Sequence, residues 1–247
     1  MHIPRIYYPE NLSSAMTVNL DAQASKHLIA VLRLQVGNPV ILFNGQGGQY
    51  SGLLSGINKN RGVYEALVEI KQYEDISLEP PLSIHLGQAI SSSDKMDYVI
   101  QKSVELGVTD ITPLITDRIN IKINTERLQT KMLHWQKIII NACEQCERNL
   151  IPNLHPILYF HDFVKEKNDP LKFSLTPKAE KKLADFKFSD NKNIVLLVGP
   201  EGGFSDQEIQ MAAQHQFISL SLGPRILRTE TAALAAIAAL QAICGDF

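Results

Sequence analysis

The sequence predicts an α/β protein in two parts: a small β-rich module, then a larger domain built on a mostly parallel sheet. Three observations carry that expectation. From residue 82 onward, apolar β-branched runs alternate with stretches of helical periodicity, the pattern of strands joined by helical crossovers. Before residue 74 the apolar runs are short, rich in β-branched and aromatic residues, and separated by Gly-rich turns. Between them lies Glu74-Asp75-Ile76-Ser77-Leu78-Glu79-Pro80-Pro81, a polar stretch ended by a proline pair that resists helix. The expected division is therefore 1–73, a linker at 74–81, and 82–247.

Each element has its own warrant. In the first part the strands are expected at 39–43, 49–54 and 63–70. Residues 22–34 read as one amphipathic helix with Leu28, Val31 and Leu32 on a single face. Several short strands with one helix suggest a small barrel. In the second part, 82–90 reads as a strand, 95–106 as a helix closed by Gly107, 111–115 as a strand and 125–148 as one long helix. The runs 194–198 and 217–222 read as strands, each followed by a helix. Ser205 and Glu208 have the spacing of a capping box for the helix after 194–198.

Composition narrows the class. A chain of 247 residues can bury a substantial core. A hydrophobic content of 45% with 20% charged residues is that of a soluble globular protein. The longest strongly apolar run, 232–240, is too short to span a bilayer, and MHIPRIYYPEN lacks the apolar centre of a signal peptide, so no membrane partner is expected. Three cysteines leave one unpaired in any intrachain scheme, which fits a reducing cytoplasm. A net charge of −2 argues against a broad, non-specific nucleic-acid binder and leaves room for a local basic patch. Lys165, Lys167, Lys172, Lys178, Lys181, Lys182 and Lys187 bunch in one region, and a solvated surface is the simpler reading of them.

Two loops near the C-terminus carry the functional signal. The first is Gly199-Pro200-Glu201-Gly202-Gly203-Phe204-Ser205, directly after an apolar strand. The second is Leu222-Gly223-Pro224-Arg225-Ile226-Leu227-Arg228-Thr229, leading into an Ala-rich helix. Glycine lets backbone approach a ligand closely, and loops on a rigid scaffold often carry function. A lone glycine turn could equally serve only to join strand to helix. The spacing is wrong for a dinucleotide fold, and there is no G-x-x-x-x-G-K-[ST] for a phosphate-binding loop. Cys143 and Cys146 sit inside a helical pattern and lack two further well-spaced ligands, and the seven histidines are scattered without H-E-x-x-H; no metal is expected. Glu144 and Arg148, four apart, have the spacing to pair on one helix face.

The two loops resemble the C-terminal signature of the RsmE-type methyltransferases of the SPOUT superfamily. Three further segments, in order, are similar to the same family: Lys95-Met96-Asp97-Tyr98-Val99-Ile100-Gln101-Lys102-Ser103-Val104-Glu105-Leu106-Gly107-Val108, Asn141-Ala142-Cys143-Glu144-Gln145-Cys146-Glu147-Arg148-Asn149, and His27-Leu28 through Leu32-Arg33 with Phe43-Asn44-Gly45-Gln46-Gly47-Gly48. One departure is Glu147, which stands where the family pattern has glycine and bears on backbone shape or RNA contact there.

The resemblance implies a PUA-like β-barrel that binds RNA, followed by a SPOUT-type α/β domain whose C-terminal loops form a trefoil knot. It implies S-adenosylmethionine as cofactor, N3 of a uridine in 16S ribosomal RNA of the small subunit as target, and a homodimer. Gly199, Pro200, Gly202, Gly203, Leu222, Gly223, Ile226, Leu227 and Thr229 are then the cofactor-binding residues. Arg5, Arg33, Arg118, Arg148 and Arg225 are expected on the RNA. Uridine N3 must lose a proton, which calls for a base or for positive charge near O2 and O4. Arg228 and Arg225 are candidates for the charge, Glu201 and Glu230 for the base. Each has an alternative: Glu201 orients the loop or holds cofactor, Glu230 caps the last helix, and Arg225 touches phosphate alone. A non-catalytic RNA-binding or ribosome-assembly factor retaining the fold is the competing reading, disfavoured by the intact second loop. A small-molecule methyltransferase is disfavoured by the separate N-terminal module.

Overall fold

The structure, a computed structural model, describes residues 3–119, 125–167, 171–177, 179–186, 188 and 193–247. Lys178 and Lys187 of the expected lysine cluster lie outside the described residues. The chain forms two compact units. One comprises Met1–Glu79 with Cys143–Ile151; the other comprises Pro80–Ala142 with Pro152–Phe247. The expected division was continuous in sequence, whereas here a short segment far down the chain belongs with the first unit.

The first unit holds β1 (Arg5–Tyr7), β2 (Thr17–Asn19), β3 (Pro39–Phe43), β4 (Gln49–Asn60) and β5 (Val63–Glu74) in one sheet of order β1-β3-β4-β5-β2. β1 runs parallel to β3; the other pairs are antiparallel. The long β4–β5 ladder shifts register at Ser51/Gly52 and Leu54/Gly56, irregularities that bend a strand and increase its twist. Gly52 is required there, because a Cβ would sit 2.8 Å from the Glu69 carbonyl. The bend brings alternate residues of every strand onto one core of Ile6, Val18, Val40, Leu42, Leu54, Ala66, Val68 and Ile70, with Leu28 added from outside the sheet.

The expected helix over 22–34 is shorter. Helix α1 covers Ala22–Lys26, capped by the Asp21 side chain, and a π-helical turn follows at His27–Val31. The wider turn rotates the apolar face away, so Leu28 is fully buried while Val31 and Leu32 are exposed.

Arg5 and Arg148 hold the returning segment in this unit. Arg5 donates to Gln49 Oε1, to the Glu147 carbonyl at 3.2 Å and to Asn149 Oδ1 at 2.6 Å, and stacks over Phe43. Arg148 pairs with the Glu79 carboxylate. Glu144 accepts from the Tyr7 amide at 2.9 Å. Glu147 has φ 68°, the left-handed region that favours glycine and that costs an L-residue about 1–2 kcal/mol. The position that departs from the family pattern is therefore one where glycine suits the backbone.

In the second unit every sheet contact is parallel, as the alternating pattern implies. The strands are β6 (Ser83–Ala89), β7 (Asp110–Ile115), β8 (Asn153–Leu154), β9 (Leu158–Tyr159), β10 (Leu171–Leu175), β11 (Asn193–Val198) and β12 (Ile218–Leu220). Their order is β12-β10-β11-β6-β7-β8, with β9 also on β7. Residues 194–198 are buried without a break, as befits a central strand covered on both faces. The helices are α2 (Ser93–Glu105), α3 (Thr125–Cys146), α4 (Phe160–Glu166), α5 (Asp206–Gln214) and α6 (Thr229–Cys244). Phe160, Phe163, Phe204 and Phe217 pack with Leu114, Val195 and Leu197 on one face of the sheet. Among the described residues no helix is long and apolar enough to cross a membrane.

Near the start of β6 and β7, His85 stacks on His155 with ring centroids 4.8 Å apart and planes 18° from parallel. Lys167 Nζ lies 3.0 Å from His85 Nδ1, and Thr112 Oγ1 lies 2.7 Å from its Nε2. Burial, and then the Lys167 charge, push His85 from 6.5 down to about 3. Burial alone would raise Asp110, but hydrogen bonds from His155, Asn153 and Thr109 hold it below its usual value.

Two outcomes follow from these environments. Glu147→Gly should raise unfolding stability by up to about 1 kcal/mol, measured by denaturant titration, because strain is relieved against a smaller entropy cost. His85 resists a proton in the native state that it accepts when unfolded. Its contribution is complete above about 6.5 and is lost as pH falls toward about 3. Stability should decline across that window with a slope near 1.4 kcal/mol per pH unit for one proton, and His85→Gln should flatten it.

Candidate active site

In open parallel sheets, ligands bind outside the carboxyl ends of the strands. A pocket of about 550 Å³ lies there, at the ends of β10, β11 and β12, within the usual range for a cofactor site. Leu175, Val198, Leu220, Leu222, Ile226 and Leu227 supply apolar walls. Gly199, Pro200, Glu201 and Gly203 line it from the first loop, and Gly223, Arg225, Arg228 and Thr229 from the second. Gly223 has φ 102°, so the second loop turns where a side chain would be strained.

One buried hydroxyl joins the loops. Thr229 Oγ1, at the first position of α6, donates to the Gly199 carbonyl at 2.6 Å and accepts from Gln88 Nε2 at 3.1 Å. β6, the first loop and α6 are thereby fixed on one atom. A second set of bonds anchors the far side of the first loop. Ser205 caps α5 and forms the expected capping box with Glu208. Glu208, itself buried, also accepts from the Asp117 amide, and Ser205 Oγ donates to Asp117 Oδ2 at 2.6 Å.

The sequence-predicted residues divide accordingly. Gly199, Pro200, Gly203, Leu222, Gly223, Ile226, Leu227, Thr229, Glu201, Arg225 and Arg228 all line the pocket. Gly202 does not: it turns outward, and its carbonyl accepts from Arg118 at 2.9 Å. Arg118 is thus a clamp on the first loop rather than a free basic side chain. Arg33 is exposed in the first unit, with φ 57°. Arg5 and Arg148 are 5% and 4% exposed and engaged with Gln49, Asn149 and Glu79, so both depart from the expected surface role. Buried cations need partners, and these have them. Glu230 stands in the first turn of α6, whose N-cap is Arg228.

Lys95 was missed as a site residue. It comes from the first turns of α2 and reaches the pocket beside Glu201, with Nζ 2.9 Å from the carboxylate. Partial burial pushes Glu201 up, but the Lys95 hydrogen bond and charge, with backbone donors including Ser92, hold it below its ordinary value. The signal was present, since Lys95 opens a quoted motif, but nothing local tied it to a loop 106 residues away.

Cys143, Cys146 and Cys244 form no disulfide among the described residues. Burial pushes Cys143 up to about 12, which makes it a poor nucleophile. Among the described residues, potential metal-binding atoms come together at His85, Asp110 and His155. Their two rings lie nearly parallel, so the lone pairs do not converge, and both nitrogens of His85 already have partners.

Comparison with known proteins agrees with this geometry. Residues 78–241 match the model of the RNA methyltransferase domain, and residues 20–63 that of the RNA methyltransferase PUA domain. A ribosomal RNA small subunit methyltransferase E from Buchnera aphidicola (Schizaphis graminum) is 39% identical over 99% of this chain and 98% of its own. The chain belongs to the ribosomal RNA small subunit methyltransferase E family. Two solved structures cover the full length of both chains. A Neisseria gonorrhoeae member of this family, bound to S-adenosyl methionine, has a TM-score of 0.91 at 41% identity. A Legionella pneumophila chain described as a methyltransferase, with bound cofactor SAM, has a TM-score of 0.95 at 42% identity. The mixed α/β architecture with a PUA-type first part is thus that of the family.

Thr229→Val keeps shape but leaves the Gly199 carbonyl without its hydroxyl donor and removes one of two acceptors of the Gln88 amide nitrogen, which still donates to the Ala89 carbonyl. It should cost about 1–3 kcal/mol in denaturant unfolding, and calorimetric titration should show weaker S-adenosylmethionine binding.

Proposed function

We propose that this protein methylates N3 of a uridine in 16S ribosomal RNA of the small subunit, using S-adenosylmethionine. The observation that carries the reading is the pocket closed by the Thr229–Gly199 bond, in a chain whose full length matches small-subunit methyltransferases. The residues present fit the cofactor. Apolar side chains of Leu222, Ile226 and Leu227 flank space for an adenine, with loop backbone available to its polar edge. Gly203, with no atom within 4 Å of where a Cβ would stand, would leave room for the ribose and methionine portions, and the bare Gly199 lets the loop backbone at Gly203 and Phe204 fold back onto it. When bound, the cofactor supplies a methyl group already activated on a sulfonium; the protein's task is alignment and exclusion of water. Arg225 and Arg228 are exposed and form no ion pair among the described residues, so both are available to an anionic or electron-rich substrate.

The first unit is proposed to grip RNA, with Arg33 at its surface, and the target uridine to turn out of its stack into the pocket. The path of the chain, with β12 set beyond β10 and α6 brought back under Gly199, supports the trefoil threading that the family resemblance implies. A homodimer in the cytoplasm completes the proposal; α2 and α6 present Tyr98 and Ile243, each 49% exposed, as apolar surface for a second copy.

The test is methylation of small subunits from a strain lacking the activity, with the modified base mapped by mass spectrometry. Incorporation at uridine N3 is expected. Arg228→Ala should cut turnover about a hundredfold while changing cofactor affinity far less. Failure to bind S-adenosylmethionine would restore the reading of a non-catalytic assembly factor.

A further inference from the structure

The rim of the pocket carries an unusual balance of charge. Among the described residues, the cations Lys95, Arg225 and Arg228 line it against one anion, Glu201. No histidine, cysteine, tyrosine or aspartate is among the described residues lining it. The floor is apolar or hydrogen-bonded: Val198, Leu220 and Thr229 are at most 5% exposed. Lys95 and Glu201 keep side chains 30% and 45% exposed, so the pair stands at the mouth, where an RNA base must enter. The carboxylate is already committed to the ammonium at 2.9 Å.

Uracil N3 holds its proton well above neutral pH, and an effective general base has a value near the working pH. Glu201, ionised and held low by Lys95, is poorly matched to that task. Charge is the other route. A cation within about 4–6 Å of a developing anion shifts its ionisation by roughly 1–3 pH units.

We propose that Lys95 is a second catalytic cation, which with Arg228 stabilises the ionised uracil through O2 or O4, and that Glu201 is a positioning residue that holds the ammonium in place. This rests on the methyltransferase reading above. The N3 proton leaves to solvent water or hydroxide. The N3 lone pair then forms the N–C bond to the methyl, the C–S bond breaks, and its electron pair stays on sulfur. The product is neutral N3-methyluridine, and the protein returns unchanged.

The test compares wild type with Lys95→Met, Lys95→Arg and Glu201→Gln in single-turnover methylation of unmodified small subunits across pH, with calorimetric titration of S-adenosylmethionine alongside. In wild type the rate should rise with unit slope to a plateau. Lys95→Met should lower the rate about a hundredfold and move the inflection up by roughly 1–3 pH units, and Lys95→Arg should restore most of both. Glu201→Gln should lower the rate less than tenfold or so and keep the pH dependence, since the amide oxygen still accepts from Lys95. A binding readout stands apart from turnover. Wild type should prefer an RNA fragment carrying 6-azauridine, whose N3 proton is more acidic, over the same fragment with uridine, and Lys95→Met should lose that preference. An unmoved inflection in Lys95→Met, or loss of the pH dependence in Glu201→Gln, would overturn the proposal and return the base role to Glu201. Strongly weakened cofactor binding in Lys95→Met with an unchanged inflection would also overturn it, by placing Lys95 on the cofactor. No methylation and no cofactor binding by wild type would instead refute the methyltransferase reading itself.

Discussion

The site depends on one buried hydroxyl. Thr229 begins the last helix, yet its oxygen is bonded to the Gly199 carbonyl just after β11 and to an amide on β6. The carbonyl, cut off from water, would cost about 1–3 kcal/mol if left unpaired, and the amide nitrogen, which also donates to Ala89, would lose one of its two acceptors. Meeting both needs on one hydroxyl determines where α6 starts, and so where the loop before it must lie. The pocket wall from Leu222 to Arg228 is the consequence.

The opposite wall is held by charge rather than burial. Lys95 takes the Glu201 carboxylate and Arg118 the Gly202 carbonyl, so adjacent residues of the first loop are drawn to two different elements. Both contacts are at least partly solvated, and exposed ion pairs contribute little to stability. Their value is in placing the loop. A rigid inner wall with a more lightly held outer rim suits a site that binds a small cofactor deep and admits a large substrate at the mouth.

In the first unit the basic residues divide by the same reasoning. Arg5 and Arg148 resemble RNA ligands in sequence but are buried cations engaged with groups of their own unit. Glu79 neutralises Arg148, and the amide oxygens of Gln49 and Asn149 accept from Arg5; without them each buried cation would be left poorly solvated. Arg33, in contrast, follows the π-helical turn into a left-handed conformation on the surface beside exposed Leu32.

The sequence by itself determined what is local. Strand and helix alternation, the polar break before Pro80 and Pro81, the Ser205–Glu208 capping box and the two glycine loops are all periodicities or spacings within a few residues. The ordered motifs added the family and its cofactor. Tertiary structure decided what depends on distant partners. Arg5 and Asn149 are 144 residues apart, and Lys95 and Glu201 are 106 apart. Whether an arginine is a ligand or a buried strut, and whether a helix lysine enters a pocket, is settled by which groups the folded chain brings beside it. Gly202 and Gly203 are identical in sequence terms, yet one turns outward to Arg118 and the other faces the pocket. Side-chain type states what bonds are possible; desolvation and long-range packing select the ones that form.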